Sequence, residues 1–115
     1  MIKTKEEMRH ASVTGLRGGI GELYQEHILE KEETAGRTDL FCVFTIEPGR
    51  TIGLHTHDTN AEVYYVLEGE IEVNQNGELH TVRVGDVVFT ADGQSHSVAN
   101  NTNQTAKMLA IIFPQ

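Results

Sequence analysis

Two histidines and a glutamate fall within the eight residues His55-Thr56-His57-Asp58-Thr59-Asn60-Ala61-Glu62. Imidazole nitrogens and a carboxylate oxygen together suit a borderline divalent transition metal, provided the chain brings them to one point. In a strand, side chains alternate between faces, so His55 and His57 project to one side and Leu54 and Thr56 to the other. Asp58-Thr59-Asn60 reads as a turn, and a strand opening at Glu62 would return beside the first. Such a hairpin gathers two imidazoles and one carboxylate. His96 lies downstream, after the turn Ala91-Asp92-Gly93-Gln94-Ser95, at the start of another short strand. Taken alone, a single histidine there is a surface residue more often than a ligand.

The elements that must position these groups are strands. From residue 22 onward, short runs rich in β-branched and aromatic residues (22–29, 39–46, 62–69, 70–75, 79–84, 86–91, 96–100 and 106–113) alternate with turn-forming residues. About eight strands at this spacing, with almost no helical periodicity, indicate an all-β sandwich or barrel. Asn76-Gly77 asks for a two-residue type I′ turn that pairs Ile71 with Val82 and Val73 with His80. The runs 39–46 and 106–113 are apolar on both faces. A barrel buries only its inner face, so a second copy of the chain is the expected cover and a homodimer is predicted. Upstream, Thr4-Lys5-Glu6-Glu7 reads as a capping box opening a short helix to about His10. The glycine-rich run 15–21 lacks the Gly-Lys-Ser/Thr ending of a phosphate loop and reads as a plain loop. Residues 1–21 are thus expected to form an N-terminal extension to one domain spanning 1–115.

Two frames surround the candidate ligands. Gly49, five residues, His55, one, His57, four, Glu62, six, Gly69 is the first; Gly85, five, Ala91, one, Gly93, two, His96, three, Asn100 is the second. They resemble the paired motifs of the cupin superfamily, with fifteen residues between Gly69 and Gly85. Ala91 stands where the second motif has proline, a departure that bears on the turn and leaves the ligand positions intact. The resemblance implies a cupin-type antiparallel β-sandwich, a double-stranded β-helix or jelly roll. It further implies that His55, His57, Glu62 and His96 bind one divalent transition metal (iron, manganese, nickel or zinc) with two adjacent positions open. The oxalate decarboxylases of that superfamily carry an arginine three residues before the first motif histidine. Ile52 occupies that place here, which leaves Arg50 as the nearest cation in sequence.

Other residues have structural and chemical readings side by side. Tyr64, two residues after Glu62, should face the same cavity, as a hydrogen-bond donor to ligand or as a core aromatic. His27 is read first as a histidine at an edge or interface, and second as a base near the cavity. His80 and His10 are expected to be solvated, and Cys42 to be a buried apolar residue. Asp86 is expected to cap a turn. Glu68, Glu70 and Glu72 are read as a solvated face paired with Arg83. If Glu62, Tyr64 and Val66 face inward together with Ile71 and Val73, the alternation must slip between them, and a bulge at Glu68-Gly69 would do this.

The whole chain narrows the choice of function. Nine basic against seventeen acidic side chains give a net charge of −8, which argues against a nucleic-acid partner. No run is long and apolar enough to span a membrane, and a single cysteine fits a reducing, cytoplasmic setting. The expected function is a small metalloenzyme (dioxygenase, decarboxylase or isomerase) acting on a chelating organic acid, diol or enol. The alternative is a non-catalytic, metal-dependent module that binds or senses a small ligand. An interaction domain with a purely structural metal is the third reading, opposed by the open positions.

Overall fold

Asn76 and Gly77 both take positive φ, 53° and 92°. The turn they make joins β6 (Glu70–Gln75) to β7 (Glu78–Arg83), and Ile71 pairs with Val82 and Val73 with His80. The computed structural model describes all residues from Met1 to Gln115. The other strands are β1 (Arg9–Thr14), β2 (Glu22–His27), β3 (Leu40–Ile46), β4 (Thr51–Thr56), β5 (Asn60–Glu68), β8 (Val87–Thr90), β9 (Ser95–Ala99) and β10 (Ala106–Pro114). They form two antiparallel sheets, one in the order β1-β2-β3-β10-β5-β8 and one in the order β4-β9-β6-β7.

Alternation along each strand fills the space between the sheets. Cys42, Phe44 and Ile46 of β3, Met108 and Ala110 of β10, and Tyr64 and Val66 of β5 face inward. They meet Ile52 of β4, Val98 of β9, and Ile71 and Val73 of β6 from the other sheet. Burying a side chain of the size of Phe44 or Ile46 contributes about 1.5–3 kcal/mol, so the sandwich owes its stability to this layer.

The slip in alternation occurs as expected, but by two devices. Opposite β10 the register moves, with Lys107 facing Glu68 and Met108 facing Val66, so Leu67 is the extra residue. Gly69 then carries the chain out of the six-stranded sheet into the four-stranded one, at φ 73°. A Cβ at Gly69 would stand 2.6 Å from the Thr105 carbonyl oxygen, so no other residue fits the corner without movement.

The N-terminal region differs from its expected form. The capping box is present, with the Thr4 N–H donating to the Glu7 carboxylate, but it opens only a single 3-10 turn, Lys5–Glu7. The chain is extended from Arg9, because the edge of β2 offers a full ladder from Arg9–His27 to Thr14–Glu22. Ion pairs from Lys5 to Glu26 and from Arg9 to Glu30 fasten it. Residues 9–14 therefore belong to the six-stranded sheet, and with β4 they raise the strand count from about eight to ten. Asp86 accepts from the Arg83 N–H at 2.8 Å, and Arg83 pairs with Glu70 at 3.0 Å. No helix is long and apolar enough to cross a membrane.

Cys42 is fully buried in β3, and burial, helped by the Glu62 charge, pushes its thiol up to about 12. The folded protein should therefore react with no thiol reagent at about pH 8, and unfolding should release one reactive thiol per chain. Rapid labelling of the native protein would show that β3 is not packed as described.

Candidate metal centre

His55 lies near the end of β4 and directly opposite His96 in β9. His57 falls one residue beyond β4, where its N–H donates to the Gln94 carbonyl (2.9 Å) and its carbonyl accepts from Gly93 (2.7 Å). Glu62 comes from β5, so three imidazoles on one sheet face a carboxylate on the other. The Nε2 atoms of His57 and His55 are each 3.0 Å from that of His96. Glu62 Oε1 is 3.1 Å from the Nε2 of both His57 and His96. One ligand atom from each residue lies within 4.8 Å of all the others. His57, Glu62 and His96 are buried and His55 is half-buried.

The outer ring nitrogens fix what the inner ones can do. His55 donates from Nδ1 to the Gly53 carbonyl (2.7 Å), and His57 from Nδ1 to Asn60 Oδ1 (2.6 Å). His96 donates from Nδ1 to Thr90 Oγ1 (2.8 Å), whose own hydroxyl donates to Gln75 Oε1 (3.0 Å). With each Nδ1 protonated, a neutral ring keeps its lone pair on Nε2. Three lone pairs and a carboxylate then face one another, an arrangement that repels itself until positive charge enters it. This donor set fits a divalent transition metal, which such ring-orienting partners prepare.

Charge states follow the same logic. The Glu62 carboxylate beside Nε2 raises the pKa of His57, although burial opposes it. Burial pushes Glu62 up, but His57 and His96 together outweigh it and hold the carboxyl below its ordinary range. Burial lowers the pKa of the His55 imidazole. Tyr64 projects inward from β5 and stacks on His96, ring centroids 4.8 Å apart. Its hydroxyl donates to His96 Nε2 at 3.2 Å, and burial followed by the Glu62 charge pushes its pKa well above the usual phenol range. The phenol is therefore a donor across the physiological range.

Beside the cluster is a cavity of about 150 Å³, with His55, Glu62 and Tyr64 on one wall and Phe44, Ile52 and Ile112 among its apolar lining. Arg17 and Gln25 complete the polar part. Arg50 turns away, its guanidinium donating to the Glu22 carbonyl at 3.1 Å. The nearest cation thus comes from the glycine-rich run read as a plain loop, where Leu16–Gly18 forms a 3-10 turn. A lone arginine between glycines gave the only hint. His27 sits at the end of β2 with Nε2 3.2 Å from Gln25 Oε1 and is not part of the cavity wall; burial lowers its pKa. His10 pairs with Glu26 at the surface, and His80 is exposed on β7. Asn100 is fully buried and gives both Nδ2 hydrogens to carbonyls, of Ile46 and Gln104, which makes it a structural member of its frame. Ala91 donates its N–H to Gln94 Oε1 at 2.8 Å, a bond the proline of the related motif cannot make.

A double-stranded β-helix with three histidines and a glutamate at one end of its interior defines a class of protein. The chain matches the family model described as Cupin domain over residues 42–112, and it belongs to that family. It is 37% identical over 113 residues to the oxalate-binding protein of Thermotoga maritima, covering 98% of this chain and 93% of the relative. It also superposes on a crystal structure from Thermotoga maritima described as "a predicted oxalate decarboxylase", with a TM-score of 0.94, 36% identity and complete coverage of both chains. An RmlC-like cupin from Shewanella frigidimarina shares the fold, with a TM-score of 0.74 at 19% identity over 98% of this chain and 89% of that one.

The ring orientations can be checked without any metal. In metal-free protein held above the raised pKa of His57, nitrogen-15 spectra should show all three imidazoles as Nδ1–H tautomers. An Nε2–H tautomer at His55 or His96 would contradict the convergence of lone pairs.

Proposed function

We propose that His55, His57, Glu62 and His96 hold one divalent transition metal, and that a small chelating organic acid binds its open positions from the adjoining cavity. The observation that carries this reading is the set of three inward Nε2 lone pairs and one carboxylate beside a cavity of about 150 Å³. That volume is far below the few hundred Å³ of a drug-sized pocket, so the ligand has only a handful of non-hydrogen atoms. Similarity over nearly the whole chain to a protein described as oxalate-binding supports a small acid. The metal, once bound, acts as a Lewis acid toward the oxygens of its ligand. Tyr64 donates a hydrogen bond to that ligand, while the apolar wall of Phe44, Ile52 and Ile112 excludes bulk water.

Tyr64 also favours a second reading, in which the acid is converted rather than only held. A phenol that stays protonated beside the ligand can hold a hydrogen bond to negative charge developing on the ligand oxygens in a lyase, isomerase or oxygenase reaction. Consumption of the acid by metal-loaded protein, lost in Tyr64→Phe, distinguishes this from simple binding.

We further propose that the chain pairs with a second copy through the outer face of the six-stranded sheet. Phe41, Val63 and Ile111 line up across β3, β5 and β10, with Val43, Tyr65 and Leu109 in the next row. Tyr65 and Phe89 remain 42% and 56% exposed in the single chain, and Val87 63%. An apolar face of this extent is normally covered.

Three experiments test these readings. Calorimetry should show oxalate binding to manganese(II)-loaded protein but not to metal-free protein. His57→Ala should lose both metal and oxalate yet stay folded, melting near metal-free wild type, because metal at a hundredfold excess over Kd adds about 2.7 kcal/mol to the loaded protein alone. Stoichiometric metal in that variant would exclude His57 as a ligand. Sedimentation at micromolar concentration should give twice the mass of one chain, and a monomer there would refute the pairing.

A further inference from the structure

Apart from Glu62 and His55, Arg17 is the one ionisable side chain besides Tyr64 on the cavity wall, and the only cation that is permanently charged. Arg17 pairs with no carboxylate; of the other cations without one, Arg50 is turned to the Glu22 carbonyl, and Arg37 and Lys107 are not on the cavity wall. Its backbone is left-handed, φ 55° and ψ 31°, between Gly15 and Gly18, which also take positive φ. Glycine would adopt that conformation without steric penalty, so a long cation has been placed where the backbone disfavours it.

The turn that carries Arg17 is locked onto β4. The Ile20 N–H donates to Thr51 Oγ1 at 2.7 Å, and the Thr51 N–H donates back to the Ile20 carbonyl at 3.0 Å. A Cβ at Gly53 would stand 2.0 Å from the Arg17 carbonyl oxygen, and one at Gly19 would stand 2.4 Å from that of Thr51. Backbone therefore meets backbone two residues from His55. Gln25 adds a second donor on the same wall, since its Oε1 faces His27 and its amide Nε2 makes no bond within the chain.

We propose that Arg17 is the anion-recognition residue of this site and that the ligand is a small dicarboxylate dianion. The proposal rests on the metal-dependent reading above. A divalent cation with Glu62 leaves the cluster at about +1, and Arg17 raises the region to about +2, which a dianion neutralises. One edge of such a ligand meets the metal, and the oxygens turned away from it accept the paired N–H groups of the guanidinium. Ile52, buried at 2% exposure, cannot supply the charge from the motif itself, and the N-terminal turn brings it from another direction.

The test compares oxalate with acetohydroxamate, a chelator that has no carboxylate oxygen left to reach Arg17. Both are titrated by calorimetry into manganese(II)-loaded wild type, Arg17→Gln and Arg17→Gly. Arg17→Gln should weaken oxalate by at least about tenfold and acetohydroxamate by less than about threefold, with manganese bound no more weakly than by wild type. Arg17→Gly should lose oxalate equally while melting at or above the wild-type temperature, because glycine relieves the left-handed backbone. Oxalate affinity that survives Arg17→Gln, or an equal loss for both chelators, overturns the role of Arg17 and leaves the metal-dependent reading standing. Metal-loaded wild type that binds neither molecule overturns both.

Discussion

Gly53, Asn60 and Thr90 each accept a hydrogen bond from the Nδ1–H of one histidine of the cluster, and the ring orientations so imposed aim three Nε2 lone pairs at one another and at Glu62. Four acceptors brought together in a buried space oppose folding, so the rest of the molecule has to hold them there. The β4–β9 ladder sets His55 against His96, and two backbone bonds beyond β4 pin His57. The opposite sheet presents Glu62 across the gap. The apolar layer between the sheets supplies the stability against which this strain is held.

The polar cluster and the apolar core share one interior. Tyr64 bridges them, its ring among the core residues and its hydroxyl at His96. The two faces of the six-stranded sheet are both apolar, for different reasons: the inner packs on β4, β9 and β6, and the outer is the surface proposed to meet a second copy.

Much of this was legible locally. The Asn76-Gly77 turn, the pairing across it, the buried Cys42 and the Asp86 cap all follow from neighbouring residues, and all stand in the structure as read. His55, His57 and Glu62 could be brought together by alternation and one turn. His96 could not; it was reachable only through the spacing of its frame, because its partner strand is some forty residues away. The Thr4–Glu7 box, a local pattern, predicts helix to about His10 and so misplaces the first two residues of β1, while the free edge of β2 that captures Arg9–Thr14 is not a local pattern. Arg17 was missed for a similar reason. Which wall a loop arginine reaches depends on an absent Cβ at Gly53, and no periodicity reports that.

Gly53 has two employments that no other residue could combine. Its carbonyl orients the His55 ring, and its missing side chain admits the Arg17 carbonyl. The histidine side and the Arg17 side of the cavity are thereby tied to one codon. Drift at either half can proceed through many neighbours, but a change at Gly53 disturbs both halves at once. Arg17 and Gln25, by contrast, line the cavity without holding the histidine rings, so a substitution at either reshapes its wall and leaves the cluster in place.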